Sequence, residues 1–258
     1  MPHASSAALQ CGNGHHFDLA KQGYVNLLPS HKKGSHDPGD SAEMIAARRR
    51  IHQAELYHPL IEGMGKQLLS VSSPATVLDV GCGEGYYSGA LHDIWPTAQV
   101  DALDISKTAI RLAAKKYSAV NFAVASAFDI PVESDSVDLV LRVFAPSNDD
   151  ELRRILGRAG HYLELTPAPR HLWALREALY DTPRPHLVSR TEITGFQLRQ
   201  SDLIEFELEL ETAVLQDLLT MTPYAHRGHR EKRELLQLRD NMTITMAFSS
   251  NLYQRLVD

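Results

Sequence analysis

From Thr76 onward, short apolar runs alternate with stretches in which apolar residues recur every third or fourth position. The first pattern suits buried strands and the second amphipathic helices. Together they predict strands near 77–81, 99–105, 121–126, 137–144 and 161–166, and helices near 85–94, 106–117, 148–157 and 170–180. Such alternation predicts a parallel sheet covered on both faces. Two later runs, 203–211 and 243–253, alternate apolar and polar residues like half-buried strands. They enclose a helical stretch at 213–221 and a charged helix near 229–239, and they predict a late antiparallel pair. The expected fold is α/β and Rossmann-like: a mostly parallel sheet, that late pair, and a small N-terminal segment.

Upstream of the sheet, Met44, Ala47, Ile51 and Ala54 recur at helical spacing, and Asp40 followed by Glu43 has the form of a capping box. A helix is predicted to begin at Asp40, with Arg48, Arg49 and Arg50 mostly on its exposed faces. Helical character continues through Tyr57 to Leu69, with a break at Pro59. Residues 1–40 differ in texture. They are rich in His, Gly, Ser and Pro, with one apolar segment at 24–28. The basic run His31-Lys32-Lys33-Gly34-Ser35-His36 reads either as a solvated linker or as a phosphate contact. The chain divides into an N-terminal segment, 1–40, and a main domain, 41–258.

Composition narrows the class. With 258 residues and 43% hydrophobic content, the chain can bury one good core and a small appendage. A net charge of −6 argues against strong nucleic-acid binding by the whole surface, while leaving room for a local basic face. The two cysteines, Cys11 and Cys82, form no disulfide framework, which fits a reduced, cytoplasmic setting. No signal-peptide pattern is seen at the start, and no apolar run is long enough to span a bilayer.

The chemistry is concentrated in Val77-Leu78-Asp79-Val80-Gly81-Cys82-Gly83-Glu84-Gly85-Tyr86-Tyr87. An apolar run ends in an acid, and glycines then occupy alternate positions just before a helix. Such a turn lets backbone approach a ligand that a Cβ would hold away, and the helix start offers free N–H groups. The spacing is G-x-G-x-G rather than the dinucleotide G-x-G-x-x-G, and Glu84 sits between the last two glycines. A carboxylate there would repel a phosphate but suits a cationic amino group and a sulfonium, which favours S-adenosylmethionine over NAD. About twenty residues on, Asp104 ends the next strand, where a nucleotide fold places the acid that holds ribose hydroxyls. Asp79, Gly81, Gly83, Glu84, Gly85, Asp104 and the adjoining Ile105 are therefore expected to bind cofactor.

Three stretches resemble the bacterial 23S rRNA guanine-N1 methyltransferases, which are class I S-adenosylmethionine-dependent enzymes. They are residues 11–28, from Cys11-Gly12-Asn13-Gly14-His15; Asp37-Pro38-Gly39-Asp40-Ser41-Ala42-Glu43-Met44 with Ala47-Arg48-Arg49, leading to Tyr57; and Gly81 to Tyr87. Phe144-Ala145-Pro146, Thr166-Pro167-Ala168-Pro169-Arg170-His171-Leu172 and Met221-Thr222-Pro223 extend the likeness almost to the C-terminus. The resemblance implies that Tyr57, Gly83, Glu84 and His171 hold the cofactor, and members of that family often pair as homodimers. Its N-terminal zinc module carries a C-x-x-C pair, then a cysteine, then a histidine. Here only Cys11 and His15 match. Two ligands cannot close a tetrahedral site, so no metal is expected in the chain as written; either the site is lost or the start is shortened.

For the substrate, Arg142-Val143-Phe144-Ala145-Pro146 follows the fourth predicted strand. Phe144 either stacks on a purine or packs in the core, and Arg142 either anchors phosphate or the base O6 or forms a surface ion pair. Asp40 is either a proton acceptor or a helix cap. The leading expectation is an N-methyltransferase acting on guanine N1 in 23S rRNA, with Lys32, Lys33, Arg48, Arg49, Arg50, Arg227 and Arg230 as candidate phosphate contacts. An N-methyltransferase acting on a free guanine-like heterocycle is the alternative, and a non-catalytic RNA-binding protein the third reading.

Overall fold

The computed structural model describes residues 8–10, 12, 14–28, 39–188, 190–226 and 230–257. A short N-terminal hairpin pairs β1 (Ala8–Gln10) with β2 (His16–Asp18). Next come β3 (Tyr24–Asn26) and two helices, α1 (Ala42–Gln53) and α2 (His58–Leu68). The alternating part follows: β4 (Thr76–Val80), α3 (Tyr86–Ile94), β5 (Gln99–Asp104), α4 (Lys107–Lys116), β6 (Asn121–Val124), β7 (Val137–Val143), α5 (Asp149–Ile155) and β8 (Leu156–Pro167). The chain ends with α6 (Trp173–Leu179), β9 (Phe196–Glu211), α7 (Thr212–Thr220), a 3₁₀ turn at Pro223–His226, α8 (Arg230–Gln237) and β10 (Asn241–Arg255).

Eight strands form one sheet in the order β3-β6-β5-β4-β7-β8-β10-β9. All are parallel from β3 to β8, and β10 runs antiparallel to both β8 and β9. This is the Rossmann-like arrangement, a mostly parallel sheet with a late antiparallel pair, that the pattern predicted. Central strands are mostly apolar because both faces are covered. Val77, Val100, Leu139 and Leu141 enter one core layer, and Leu78, Val80, Leu103 and Val140 the other. Strand β9 forms the sheet edge and alternates strictly. Phe206, Leu208 and Leu210 turn inward while Glu205, Glu207 and Glu209 stand in solvent, a charged rim that discourages pairing with another chain.

Several local expectations change. Ser41, not Asp40, caps α1, its hydroxyl accepting from the Met44 N–H at 3.2 Å. The break between the first two helices falls at residues 54–57, with Glu55 at φ 56°, and Pro59 lies in the first turn of α2, where its missing N–H costs nothing. Within the apolar segment at 24–28, Tyr24, Val25 and Asn26 pair with Phe122, Ala123 and Val124, so the N-terminal segment adds an edge strand to the main sheet.

Arg142 is buried, not on the surface. It is the register partner of Glu164 across β7 and β8, and the two form an ion pair at 8% and 3% exposure. Its guanidinium also donates to Ser147 Oγ at 2.6 Å and lies 5.6 Å from the Tyr162 ring, whose hydroxyl donates to Glu164. Removing one partner leaves an uncompensated buried charge. Glu164→Leu is expected to destabilise the protein by about 3–5 kcal/mol in urea unfolding, and Arg142→Met combined with Glu164→Leu should recover most of that loss.

Candidate cofactor site

The turn from β4 to α3 is held open by the strand beside it. Gly81 and Cys82 both donate their N–H to the Leu103 carbonyl, at 2.8 and 3.0 Å. Asp104 accepts the Gly83 N–H on one carboxylate oxygen at 3.0 Å and the Ser106 N–H on the other at 2.7 Å. Burial raises the Asp104 carboxyl despite those two bonds. The glycines serve different ends. A Cβ on Gly81 would stand 2.3 Å from the Ala145 Cβ, so that position is closed by packing. A Cβ on Gly83, at φ +56°, would meet only Arg48, at 3.7 Å, and would project into open space beside the turn. Gly83 therefore floors a cradle that a side chain would fill.

Helix α1 supplies the cradle's charged wall. Arg48 and His52 stand four residues apart, hence on one helix face. Arg48 is partly buried and bound to Asp40 at 2.5 Å, a correction to its expected exposure; Arg49 and Arg50 are exposed, Arg50 being engaged by Asp217. His52 is 6% exposed, and its Nδ1 lies 2.5 Å from Glu84 Oε1. It also stacks on Tyr86 at 4.1 Å and meets the Tyr57 ring edge-on at 5.4 Å. Burial alone would raise the Glu84 carboxyl. The bond and charge of His52, with the charge of Arg48, outweigh it and hold the group below its ordinary value. Asp79 is buried beneath the turn and accepts the Ser88 hydroxyl at 2.6 Å, bracing the start of α3.

Opposite lies an aromatic wall centred on Phe248 of β10. Its ring stands 4.6 Å from His171, 5.5 Å from Phe144 and 5.7 Å from Tyr57. Phe144 leaves the C-terminal end of β7 at φ 55° and is 42% exposed, whereas Tyr57 is 2% exposed. Burial, then the neighbouring His186 and Arg176, push the His171 imidazole down to about 3. The Ala247 N–H donates to Nδ1, so the neutral ring presents Nε2–H as a donor.

The cradle therefore combines open backbone over Gly83, a carboxylate at a strand end in Asp104, a second carboxylate in Glu84 and a guanidinium cation in Arg48. These donors fit S-adenosylmethionine. A family model described as a methyltransferase domain matches residues 77–164, and one described as the RlmA N-terminal region matches residues 3–36. YxjB of Bacillus subtilis (strain 168), assigned to the 23S rRNA (guanine-N(1)-)-methyltransferases, is 31% identical over 259 residues, covering 95% of this chain and 90% of that protein.

The chain belongs to the 23S rRNA guanine-N1-methyltransferase family.

The 23S rRNA (guanine(748)-N(1))-methyltransferase of Streptomyces fradiae is 37% identical over 180 residues, and the match spans 68% of this chain and 63% of that protein. Among solved structures, YcgJ of Bacillus subtilis aligns with a TM-score of 0.50 at 17% identity, covering 78% of this chain and all of that one. The [4+2]-cyclase SpnF aligns at 0.51 and 12% identity over 78% and 82% of the two chains. Those likenesses show the fold, and a cyclase on the same fold shows that the fold alone does not set the reaction.

Of the residues expected from sequence, Gly83, Glu84 and Asp104 gather at the cradle, with Tyr57 and His171 at the walls, while Ile105 packs beside Gly39. Asp40 reaches the rim through Arg48. His52 and Phe248 escaped the sequence reading, since nothing in their spacing says which helix face or strand will meet the glycine turn. Of the two remnant zinc positions, Cys11 lies outside the described residues and His15 is exposed. Among the described residues, no three His, Cys, Asp or Glu side chains gather to hold a metal ion, and no helix is long and apolar enough to cross a membrane.

Gly83→Ala is expected to weaken S-adenosylhomocysteine binding at least tenfold by calorimetry, with a stability cost of about 1–2 kcal/mol from the left-handed backbone. Asp79 gives a pH test. Burial, and secondarily the charge of Asp104, push its carboxyl up to about 7 against the Ser88 hydrogen bond. The folded protein thus keeps a proton that the unfolded chain loses near pH 4, and stability falls as pH rises from about 4 to about 7. Asp79→Asn should flatten that fall by about 2–4 kcal/mol in denaturant unfolding measured across the range.

Proposed function

We propose that this protein methylates N1 of a guanine in 23S rRNA, with S-adenosylmethionine as methyl donor. The observation that carries this reading is Phe144, an exposed aromatic ring at the C-terminal end of a parallel strand, beside the cradle. Ligands of open α/β sheets bind at that end. The names of the relatives supply the substrate class, and an exposed ring suits a base swung out of its stack.

S-adenosylmethionine, when bound, supplies an electrophilic methyl group on a sulfonium. The chain's own residues do the rest. Gly83 leaves room for the cofactor, Asp104 is placed for ribose hydroxyls, and Glu84 and Arg48 meet the ammonium and carboxylate. Phe144, backed by Phe248, presents a face on which a purine stacks. Neutral His171 offers a donor to an oxygen at that wall, and the buried aromatic rings keep water from the reacting atoms. Asp40 at the rim is the candidate acceptor for the guanine N1 proton. The site of action is the cytoplasm, where ribosomes are, and two chains pair as a homodimer in this reading. Lys32, Lys33 and Arg227, proposed from sequence as phosphate contacts, lie outside the described residues.

The test is transfer of labelled methyl to unmodified 23S rRNA, with the product mapped as N1-methylguanine. Phe144→Ala should lower kcat/KM about tenfold, on the scale of ~1–3 kcal/mol for one base–aromatic stack, while S-adenosylhomocysteine affinity stays unchanged. Turnover of a free guanine-like heterocycle, with no transfer to rRNA even at low salt, would remove this reading.

A further inference from the structure

Beyond the cradle, past the C-terminal end of β8, stands a cation without an anion among the described residues. Arg176 of α6 places its guanidinium 5.9 Å from the Trp173 ring and 5.8 Å from the Tyr224 ring. Arg176 is half-buried; its Nε and Nη1 atoms are the covered ones, and neither has a hydrogen-bond partner among the described residues. The acids nearest in sequence are engaged elsewhere. Glu177 accepts the Trp173 indole N–H at 2.6 Å, and Asp181 accepts from Lys232 Nζ at 2.5 Å. Arginine cannot shed its proton to escape burial. The two aromatic faces offset part of the charge but leave the in-plane N–H donors unmet. Dry, unpaired donors on a fixed charge call for an anionic oxygen that the described residues do not supply, and the planar guanidinium is well shaped to take one.

The position narrows the source. His186 is tied to the end of β8 by its N–H to the Pro169 carbonyl at 3.0 Å, and its Nε2 lies 3.1 Å from the Tyr224 hydroxyl. Its ring is 6.0 Å from that of His171. Successive contacts from Arg176 to Tyr224, His186 and His171 thus link the unpaired donors to the aromatic wall on which the base would stack. Arg170, exposed and 5.0 Å from the Trp173 ring, adds a second positive charge on the outer side. Two sources could bring an anionic oxygen here, a backbone phosphate and the cofactor's carboxylate. Arg48 already stands beside Gly83 and Glu84 to meet the carboxylate, which leaves Arg176 for the phosphate.

We propose that Arg176, framed by Trp173, Tyr224 and His186, binds one phosphate of the RNA backbone adjoining the target guanine and so fixes which base reaches Phe144. This rests on the reading of 23S rRNA as substrate. The experiment crosses Arg176→Met with an rRNA-fragment series carrying single neutral methylphosphonate linkages on either side of the target guanine. Wild-type protein should lose about tenfold in kcat/KM at one particular linkage, and Arg176→Met should lose about as much on unmodified RNA. The variant should then be indifferent to that linkage, and its salt slope should fall by about one. S-adenosylhomocysteine affinity should match wild type. Should Arg176→Met fail to fold, Arg176→Lys is read in the same cycle, where its loss of the planar fork should cost severalfold at that linkage.

Penalties that stay additive at every linkage, or a variant as active as wild type with an unchanged salt slope, would overturn the phosphate site while leaving the rRNA reading intact. Loss of S-adenosylhomocysteine affinity in the variant would hand Arg176 to the cofactor's carboxylate and overturn the proposal as well. Wild-type protein that transfers no methyl to the unmodified fragment or to 23S rRNA would remove both readings together.

Discussion

One carboxylate keeps the cradle in shape. Asp104 ends β5 and takes the Gly83 N–H on one oxygen and the Ser106 N–H on the other. It thereby ties the glycine turn of β4 to the start of α4. Parallel strands do not normally exchange such side-chain bonds, and here the link stands where two chain reversals meet above the sheet. Both amides belong to backbone that no helix or strand bond satisfies, so the acid meets a need that would otherwise fall to water. The left-handed geometry of Gly83 then leaves its open side toward the cradle. A charge-assisted bond, a conformation that only glycine adopts without strain, and a strand end thus act on one another.

The remainder of the site is brought to that turn by elements distant in sequence. Helix α1 contributes Arg48 and His52, placing a cation and an imidazole against Glu84, which would otherwise resist ionising in so dry a position. Strand β10 contributes Phe248, whose ring touches residues from the α1–α2 connection, the end of β7 and the segment after β8. The wall exists because β10 runs antiparallel between β8 and β9, which returns the chain's last strand to the neighbourhood of its first glycine turn. The buried Arg142–Glu164 pair marks the opposite choice, a charge spent within the fold. Arg142 closes its network inside the protein, whereas Arg176 leaves donors open next to the site.

Much of this could be read from the chain before folding. The alternation of strand and helix, the late antiparallel pair and the G-x-G-x-G turn are local patterns, because period, glycine spacing and an acid at a strand end are properties of neighbouring residues. The acids at Asp79 and Asp104 look alike in sequence, each closing or nearly closing an apolar run. Only packing separates them: Asp79 is sealed under the turn with Ser88, and Asp104 faces it. The edge strand at Tyr24–Asn26 was visible only as a short apolar segment, since three residues hold too little period to specify a strand until β6 is there to pair with them.

The sequence by itself determined the architecture and the cofactor turn, for these depend on contacts within a few residues or on repeats of fixed period. The tertiary structure decided which charges serve the site. Arg48 and Arg142 each lie in an ordinary-looking stretch, and neither periodicity nor composition says that one will stand over Gly83 while the other is sealed against Glu164. A side chain's environment depends on which face of its element meets which neighbour, and those neighbours come from far along the chain. Long-range packing sets desolvation and pairing, and these in turn set what a charged group is free to do.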